Sequence, residues 1–378
     1  MKEKKIAYLV THPIQYQSPL LKFLSEDKDI NLTVFFCSDY SIGDFKDPQF
    51  NLEIKWDVGL LDGYKYEFLP SIGSTNTVSS WRPFNYGLIS RLLKGNYDVL
   101  WVHGYSRLYN ILMMFAAKCF GMKVLIRDEA TKVSANRGLV KRMFKALFFS
   151  IISRVADGFL SIGALNADYY RSYGVSENKI FSVPYVVDNK FFQKESANAF
   201  LTRESLRQDL NLEPARPIIL YASKLTERKR AADLLQAVKL LYADITVDIR
   251  PYLLIVGDGD QKEKLIETAT YLDEKFVRFI GFVNQTQLPA YYELADVFVL
   301  PSANEPWGLV VNEAMNAGIA VIVSDQVGSG PDLVRNNVNG HIFQCGDVHD
   351  LKAKLTDVLN DSIKCKSMGV ESLKLISN

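Results

Sequence analysis

The chain alternates between two rhythms. Short apolar runs of strand type, KIAYLV, LTVFFC, YKYEFL, DVLWVH, KVLIR, GFLSIG and KIFSV, punctuate its first half. Segments with helical spacing near 18–26, 86–95, 106–120, 138–155 and 164–173 separate most of them. A strand that is apolar on both sides belongs in a parallel sheet covered on both faces, so the alternation predicts a Rossmann-like unit. The second half restarts the pattern with PIILYAS, YLLIVG, VRFIGF, DVFVLPS and AVIVSD. Residues 188–216 between the halves are polar, end near Pro214 and Pro217, and read as a linker. The fold class expected is therefore α/β: two Rossmann-like, doubly wound parallel-sheet domains facing a central cleft. The expected boundaries are 1–195 and 196–360, with 361–378 as the start of a C-terminal helix crossing back to the first domain and stopping early.

A length of 378 residues allows a substantial core in each of two domains. With 48% hydrophobic and 23% charged residues, the chain has the composition of a soluble globular protein, not a disordered one. Cys37, Cys119, Cys345 and Cys365 are scattered at no metal-ligand spacing, which predicts neither a zinc site nor a disulfide frame. A reducing compartment is the default for such a chain. The run Ile6 to Val10 is too short for a signal core, and Ile111 to Ala117 falls short of the ~18 residues of a membrane span. The expectation is a cytoplasmic protein that does not span a membrane. The net charge of +1 hides an asymmetry: residues 1–195 hold 25 Lys+Arg against 19 Asp+Glu, a net of +6, and the rest nets −5. One half is free to face something negative.

Because ligands of doubly wound sheets bind beyond the C-terminal strand ends, the residues just after each strand carry most weight. After PIILYA comes SKLTERKR, where Lys224, Arg228, Lys229 and Arg230 lead into a helix starting near Ala231. Cations beside a helix N-terminus make an anion site, although a solvated turn would have the same composition. After LLIV come Gly257 and Asp258, in a turn that lets backbone approach a flat ligand. After DVFVLPS comes NEPWGLVVNEAMNAG, with Glu305 before a helix and Glu313 more than a turn inside it, too deep to cap it. Glu313 sits among Val310, Val311, Ala314 and Met315 and needs solvent or a polar partner. Cations for phosphate and two carboxylates for hydroxyl pairs are what a nucleotide sugar requires.

At these residues the chain resembles the retaining glycosyltransferases of family 4, which have the GT-B fold. Glu305 to Glu313 is similar to the family's E-x7-E, SKLTERKR to its G-R-L-x-x-x-K-G, and IVGDGDQ to its V-G-D-G-P. GFVNQTQLPAYYELADVFVLPS and VGSGPDLVRNNVNGHIF resemble its later elements, so the likeness spans about 217–345 in the family's order. The resemblance implies that Glu313 binds the donor's ribose hydroxyls and that Glu305 holds hydroxyls of the transferred sugar. Trp307, Gly308 and Leu309 would offer backbone N–H groups to sugar and phosphate. Lys224 and Lys229 would neutralise the diphosphate, and Gly257, Asp258 and Val283 would line the nucleobase pocket. The chain departs from the family pattern at Ser223 and Lys224, where Gly and Arg are usual, and in PYVVD at 184–188, where N-G-V-D is common.

In this family the first domain binds the acceptor. Its usual glycine-rich loop is here THPIQYQSP, which puts forward His12, Gln15 and Tyr16; His103 follows a later strand, and Arg127, Asp128 and Glu129 follow the next. Asp128 or Glu129 would orient the acceptor hydroxyl, and the register between them stays open. The implied reaction is a retaining hexosyl transfer from a nucleotide diphosphate sugar, UDP-linked in preference to GDP-linked, to a glycan or lipid-linked acceptor in surface polysaccharide or glycolipid synthesis. It asks for no protein nucleophile, no cofactor and no metal, the lysines stabilising the leaving diphosphate. The rivals are a sugar-nucleotide epimerase of the same fold and a catalytically silent sugar-nucleotide binder. No nucleic-acid partner is expected. The segment 136–154, with Arg137, Lys141, Arg142 and Lys145 among apolar residues, reads either as an ordinary surface helix or as a peripheral contact with an anionic membrane.

Overall fold

The structure is a computed structural model and describes all residues except 1, 2, 44, 48–51, 74–78, 80, 133–137, 215, 247, 248, 273 and 378. The chain divides into two compact units: residues 1–45 with 58–185, and residues 46–57 with 186–378. The division falls at Tyr185 and Val186, ten residues before the expected boundary, and the short excursion 46–57 clusters with the second unit.

Unit 1 is built on a seven-stranded parallel sheet in the order Ile180–Ser182, Gly158–Ser161, Lys123–Arg127, Val99–His103, Lys4–Val10, Ile30–Phe36, Lys65–Phe68. The first strand thus pairs with the second on one side and with the fourth on the other, and the connections run in opposite directions from that point. Such a switch leaves a crevice at the C-terminal strand ends, here between Val10 and His103. Helices Ser18–Ser25, Leu88–Gly95, Leu108–Cys119, Leu139–Val155 and Ala164–Ser172 alternate with the strands. Each agrees with the helical spacing to within two residues. The core beneath them is aromatic, with Phe149, Phe159, Tyr169 and Tyr170 fully buried.

Unit 2 repeats the plan with six parallel strands: Val277–Gly281, Tyr252–Val256, Ile218–Ala222, Val297–Leu300, Ala320–Ser324, Gly340–Phe343. Read in chain order this is 3-2-1-4-5-6, the dinucleotide-fold arrangement. Every residue of Ile218–Ala222, Tyr252–Val256, Val297–Leu300 and Ala320–Ser324 is buried, as sheets covered on both faces demand. The two Rossmann-like parallel-sheet domains expected from the apolar runs are present.

Two features differ from the sequence reading. Residues 188–216 are not an open linker: they fold into helices Asn189–Phe200 and Arg203–Asp209. Asp188 caps the first by accepting from the Phe191 backbone N–H at 2.9 Å. Phe192 and Ser196 bury one face of that helix, so a thin apolar stripe in a polar stretch was enough. The strand Gly340–Phe343 was not foreseen, because Gly340 and His341 interrupt its apolar run; His341 is nonetheless buried and held by Asp357 at 2.7 Å. The last helix, Ser362–Ser377, packs within unit 2 against Leu309–Asn316 and Ala320–Ser324.

Candidate functional site

In unit 2 the switch point lies between Ile218–Ala222 and Val297–Leu300, which are neighbours in the sheet, although the register partners Leu220 and Phe298 are 78 residues apart in the chain. The loops leaving them run side by side, joined by the Ala303 N–H donating to the Arg228 carbonyl at 2.8 Å. A short 3-10 turn, Glu227–Lys229, then aims Lys229 inward. Its ammonium stands 2.5 Å from Glu305 Oε2, and Arg228 Nη1 stands 3.2 Å from the same oxygen. Lys229 and Glu305 are each only 8% exposed, whereas Arg228 is at the surface. Burial alone would lift the Glu305 carboxyl, but Lys229 and Arg228 outweigh it and hold its pKa below the ordinary value. Burial also pulls Lys229 down, aided by the charges of Arg228 and Lys224 and opposed by Glu305. The site is thus a shielded cluster of cations sharing one carboxylate. Lys224 is half-buried on the same loop, and its carbonyl accepts from the Tyr221 hydroxyl at 3.0 Å. Arg230, the fourth cation of the run, turns away to Asp233 at 2.6 Å.

After Glu305 the chain enters the helix Leu309–Asn316 through Gly308, whose φ is +90°. A Cβ there would lie 3.0 Å from Leu300 Cδ2, so glycine is needed for both reasons. Trp307 is buried and its indole N–H donates to Asn312 Oδ1 at 2.9 Å, which fastens the loop to the helix and leaves the first-turn N–H groups at the switch point. Glu313 lies on this helix, half-buried, and accepts from the Tyr292 hydroxyl at 2.7 Å. Burial raises its pKa to about 7, with Tyr292 opposing. The partner that the sequence demanded for Glu313 is therefore a buried phenol from the helix Leu288–Leu294.

Gly257 follows Tyr252–Val256 at φ +138°, and a Cβ on it would stand 2.0 Å from the Ser223 carbonyl oxygen. Its loop is laced to the cation loop by the Leu225 N–H donating to the Asp258 carbonyl at 2.8 Å. Asp258 itself pairs with Lys262 at 2.5 Å. Val283 is half-buried against the core after the next strand. Gly257→Ala is expected to cost about 2–3 kcal/mol through the steric and backbone strain. Urea unfolding compared with the exposed Gly174→Ala, which has the positive φ but open space around it, measures the steric part.

Unit 1 carries a polar cluster at its own switch point. His103, closing the fourth strand, has Nδ1 2.9 Å from the Tyr8 hydroxyl of the first strand. Tyr8 also donates to Gln17 Oε1 at 3.2 Å. On the other side, Glu129 Oε1 accepts from Tyr185 at 2.5 Å and from Tyr16 at 3.2 Å, and lies 3.9 Å from His103 Nε2. Arg127, 2% exposed, stacks on Tyr185 with its guanidinium carbon 4.4 Å from the ring centre, and donates to the Val183 carbonyl at 3.1 Å. Burial, with the Arg127 and His12 charges, drives the His103 pKa down to about 3, so the imidazole is neutral. Burial raises Glu129, with the Tyr185 hydrogen bond opposing and Asp128 reinforcing.

The structure thus brings together His103, Tyr16, Arg127 and Glu129 of the sequence-derived set. Asp128 instead turns into its own loop, accepting from the Ala130 N–H at 2.8 Å, with its pKa raised by burial. His12 contacts Thr11 Oγ1 at 3.0 Å and the Tyr40 ring edge-on, and burial lowers its pKa to about 4. Gln17, not Gln15, reaches the cluster. Sequence reasoning missed Tyr8, Gln17, Tyr185 and Tyr292 as site residues. Tyr8 lies inside an apolar strand, where its hydroxyl has no periodic signature. Tyr185 stands in PYVVD, the very place where the chain leaves the family pattern.

Residues 202–374 match the family model described as Glycosyl transferases group 1. Sulfoquinovosyl transferase SQD2 of Arabidopsis thaliana is 30% identical over 230 residues, which cover 59% of this chain and 41% of that protein. N-acetyl-alpha-D-glucosaminyl L-malate synthase of Bacillus anthracis is 23% identical over 301 residues, 78% of this chain and 74% of that one. Against the Arabidopsis relative the chain therefore spans well under half its length. Among solved structures, Anabaena HepE in complex with UDP superposes with a TM-score of 0.72 at 17% identity, covering 99% of this chain and 94% of that one, a likeness of fold.

Proposed function

We propose that this chain, whose residues 202–374 match the Glycosyl transferases group 1 model, is a retaining enzyme moving a sugar from a nucleotide diphosphate sugar, preferably UDP-linked, to a hydroxyl of a glycan or lipid-linked acceptor. The observation that carries this reading is the buried Lys229–Glu305 pair, flanked by the surface residue Arg228, at the unit 2 switch point beside the N-terminus of Leu309–Asn316. A diphosphate placed there meets fixed positive charge and helix N–H groups. As the glycosidic bond breaks, negative charge grows on the leaving phosphate, and the buried Lys229 ammonium, held in place by Glu305, stabilises it without reorganising. Glu313, at the far side of the helix turn, is suited to accept from vicinal ribose hydroxyls.

On unit 1, a neutral His103 and the Glu129 carboxyl, oriented by Tyr16 and Tyr185, offer donor and acceptor sites for an acceptor hydroxyl. In this mechanism the departing phosphate oxygen takes the proton of the incoming hydroxyl on the same face. The chemistry calls for no resident cofactor or metal. Free thiols at Cys37, Cys119, Cys345 and Cys365 fit a cytoplasmic setting, and the acceptor class fits surface polysaccharide or glycolipid synthesis.

Thermal unfolding with UDP, GDP, ADP or no ligand tests the donor class. A nucleotide at ~100 times its dissociation constant adds ~2.7 kcal/mol of stability, enough to raise the melting temperature by a few degrees. UDP is expected to do so most strongly. Incubation with UDP-sugars and analysis of products then separates free UDP plus glycoside from an epimerised donor; epimer alone, or no shift with any nucleotide, would sink the proposal.

A further inference from the structure

We propose that unit 1 docks on an anionic lipid surface through the outer face of the helix Leu139–Val155. Five large apolar side chains, Val140, Met143, Phe144, Leu147 and Ile151, are exposed on it at intervals of three and four, with Met143 at 72% and Phe144 at 70%. They form one stripe on one face. The opposite face is already committed to the unit 1 core, where Phe149 and Ile152 are buried, so the stripe is not a core face awaiting its partner. Single exposed apolar residues are ordinary; a continuous stripe of this size marks a contact surface. The helix Leu108–Cys119 packs beside it and exposes Leu112 and Phe115 as well.

Charge selects the occupant. From 130 to 156 the sequence holds six cations, Lys132, Arg137, Lys141, Arg142, Lys145 and Arg154, and no Asp or Glu. Arg137 lies outside the described residues; Lys141, Arg142 and Arg154 are exposed, and helical spacing sets Lys141 and Arg154 along the stripe while Arg142 falls on the other side of the helix. A second copy of this chain would bring like charges face to face. Anionic headgroups would meet the cations while the stripe enters the acyl boundary, the arrangement of an in-plane helix. No helix among the described residues is long and apolar enough to cross a membrane. Lys145 is directed inward instead, its ammonium 4.1 Å from the centre of the Tyr105 ring, in the loop that follows His103. The docking helix and the polar cluster therefore share a seat, which would present a lipid-linked acceptor to the unit that the proposed reaction assigns to it.

The docking itself does not rest on the sugar-transfer reading, and the experiment separates the two. The purified full chain is sedimented with vesicles of phosphatidylcholine, with and without phosphatidylglycerol, across a salt series. Binding is expected to the anionic vesicles alone and to fall steeply with salt. Lys141→Glu with Arg154→Glu, and separately Met143→Glu with Phe144→Glu, should each weaken it by about tenfold or more. All four positions are exposed, so unchanged circular dichroism and an unchanged UDP-induced melting shift confirm folding and leave the donor site out of the result. No sedimentation at low salt, or binding that neither pair of substitutions alters, overturns the proposal. So does light scattering that shows a dimer lost in the Met143/Phe144 variant without any vesicle binding, which would assign the face to self-association.

Discussion

Lys229→Ala is expected to lower kcat/KM for sugar transfer by about 10²–10³-fold, the usual cost of removing one preorganised donor from a developing anion. The same substitution should also destabilise the protein by about 2–4 kcal/mol, because Glu305, at 8% exposure, would lose its buried cation and be left with Ser302 and the surface residue Arg228. The two effects have different origins and can be separated. A buried ion pair returns little net stability, since desolvation of both charges offsets their attraction. Lys229→Met with Glu305→Leu should therefore recover most of the lost stability in urea unfolding. Activity, followed as nucleoside diphosphate release, should stay as low as in the single variant or fall further. If the double variant recovers both, the cluster serves folding alone and the reading of the unit 2 switch point as a donor site is lost.

Glu313→Gln should abolish most nucleotide affinity and at the same time alter the pH dependence of stability. In the folded protein the Glu313 pKa is raised to about 7 from an ordinary 4.5. Between those values the folded state binds more protons than the unfolded one, so stability falls as pH rises. The contribution is fully present below about pH 4.5 and gone above pH 7, an effect of ~2 kcal/mol after allowing for the group's partial exposure. Other groups titrate in this window too, so the informative quantity is the difference between Glu313→Gln and the parent. The glutamine variant should be relatively more stable by that amount at pH 8 and not at pH 4.5. Binding should run the opposite way. Ribose hydroxyls donate, so they prefer the carboxylate, and nucleotide affinity of the parent should rise about tenfold from pH 6 to pH 8 while that of the variant stays weak and flat. A parent that loses no affinity at pH 6 would remove Glu313 from the ribose contact. The carboxyl's strain in the empty site and its use in the filled one are two sides of the same burial.

How much of this was legible in the sequence differs between the two units. In unit 2 the strands are continuous apolar runs, and the loop residues that matter follow them directly, as in Ile218–Ala222 before Lys224 and Lys229. The motif spacing there is dense enough that fold and candidate residues could be named together. In unit 1 the helices were equally plain, yet the site was not. His103, Arg127 and Glu129 sit at strand ends and could be picked out by position. Tyr8 and Tyr185 could not, because one lies within a strand and the other 56 residues beyond Glu129 on a stretch with no pattern of its own.

The sequence by itself determined the alternation of strand and helix, the doubling of the Rossmann-like plan, the glycines at turns and the identity of the cations and carboxylates. These are local properties, written in periodicity and in residue chemistry at fixed offsets. Only the tertiary structure decided which of them meet. The parallel order of the sheet sets the loops after two distant strands side by side, so Glu305 is paired with Lys229, 76 residues away, and not, as spacing along the chain suggested, simply matched with Glu313. Burial and nearby charge then set the protonation of each group: Glu305 held as a carboxylate by its cations, Glu313 lifted towards neutrality by burial against the opposing hydrogen bond from Tyr292, His103 kept uncharged. Periodicity can say which face of an element is buried. It cannot say what lies across from a polar group once it is there, because that partner is chosen by strand order and not by distance along the chain.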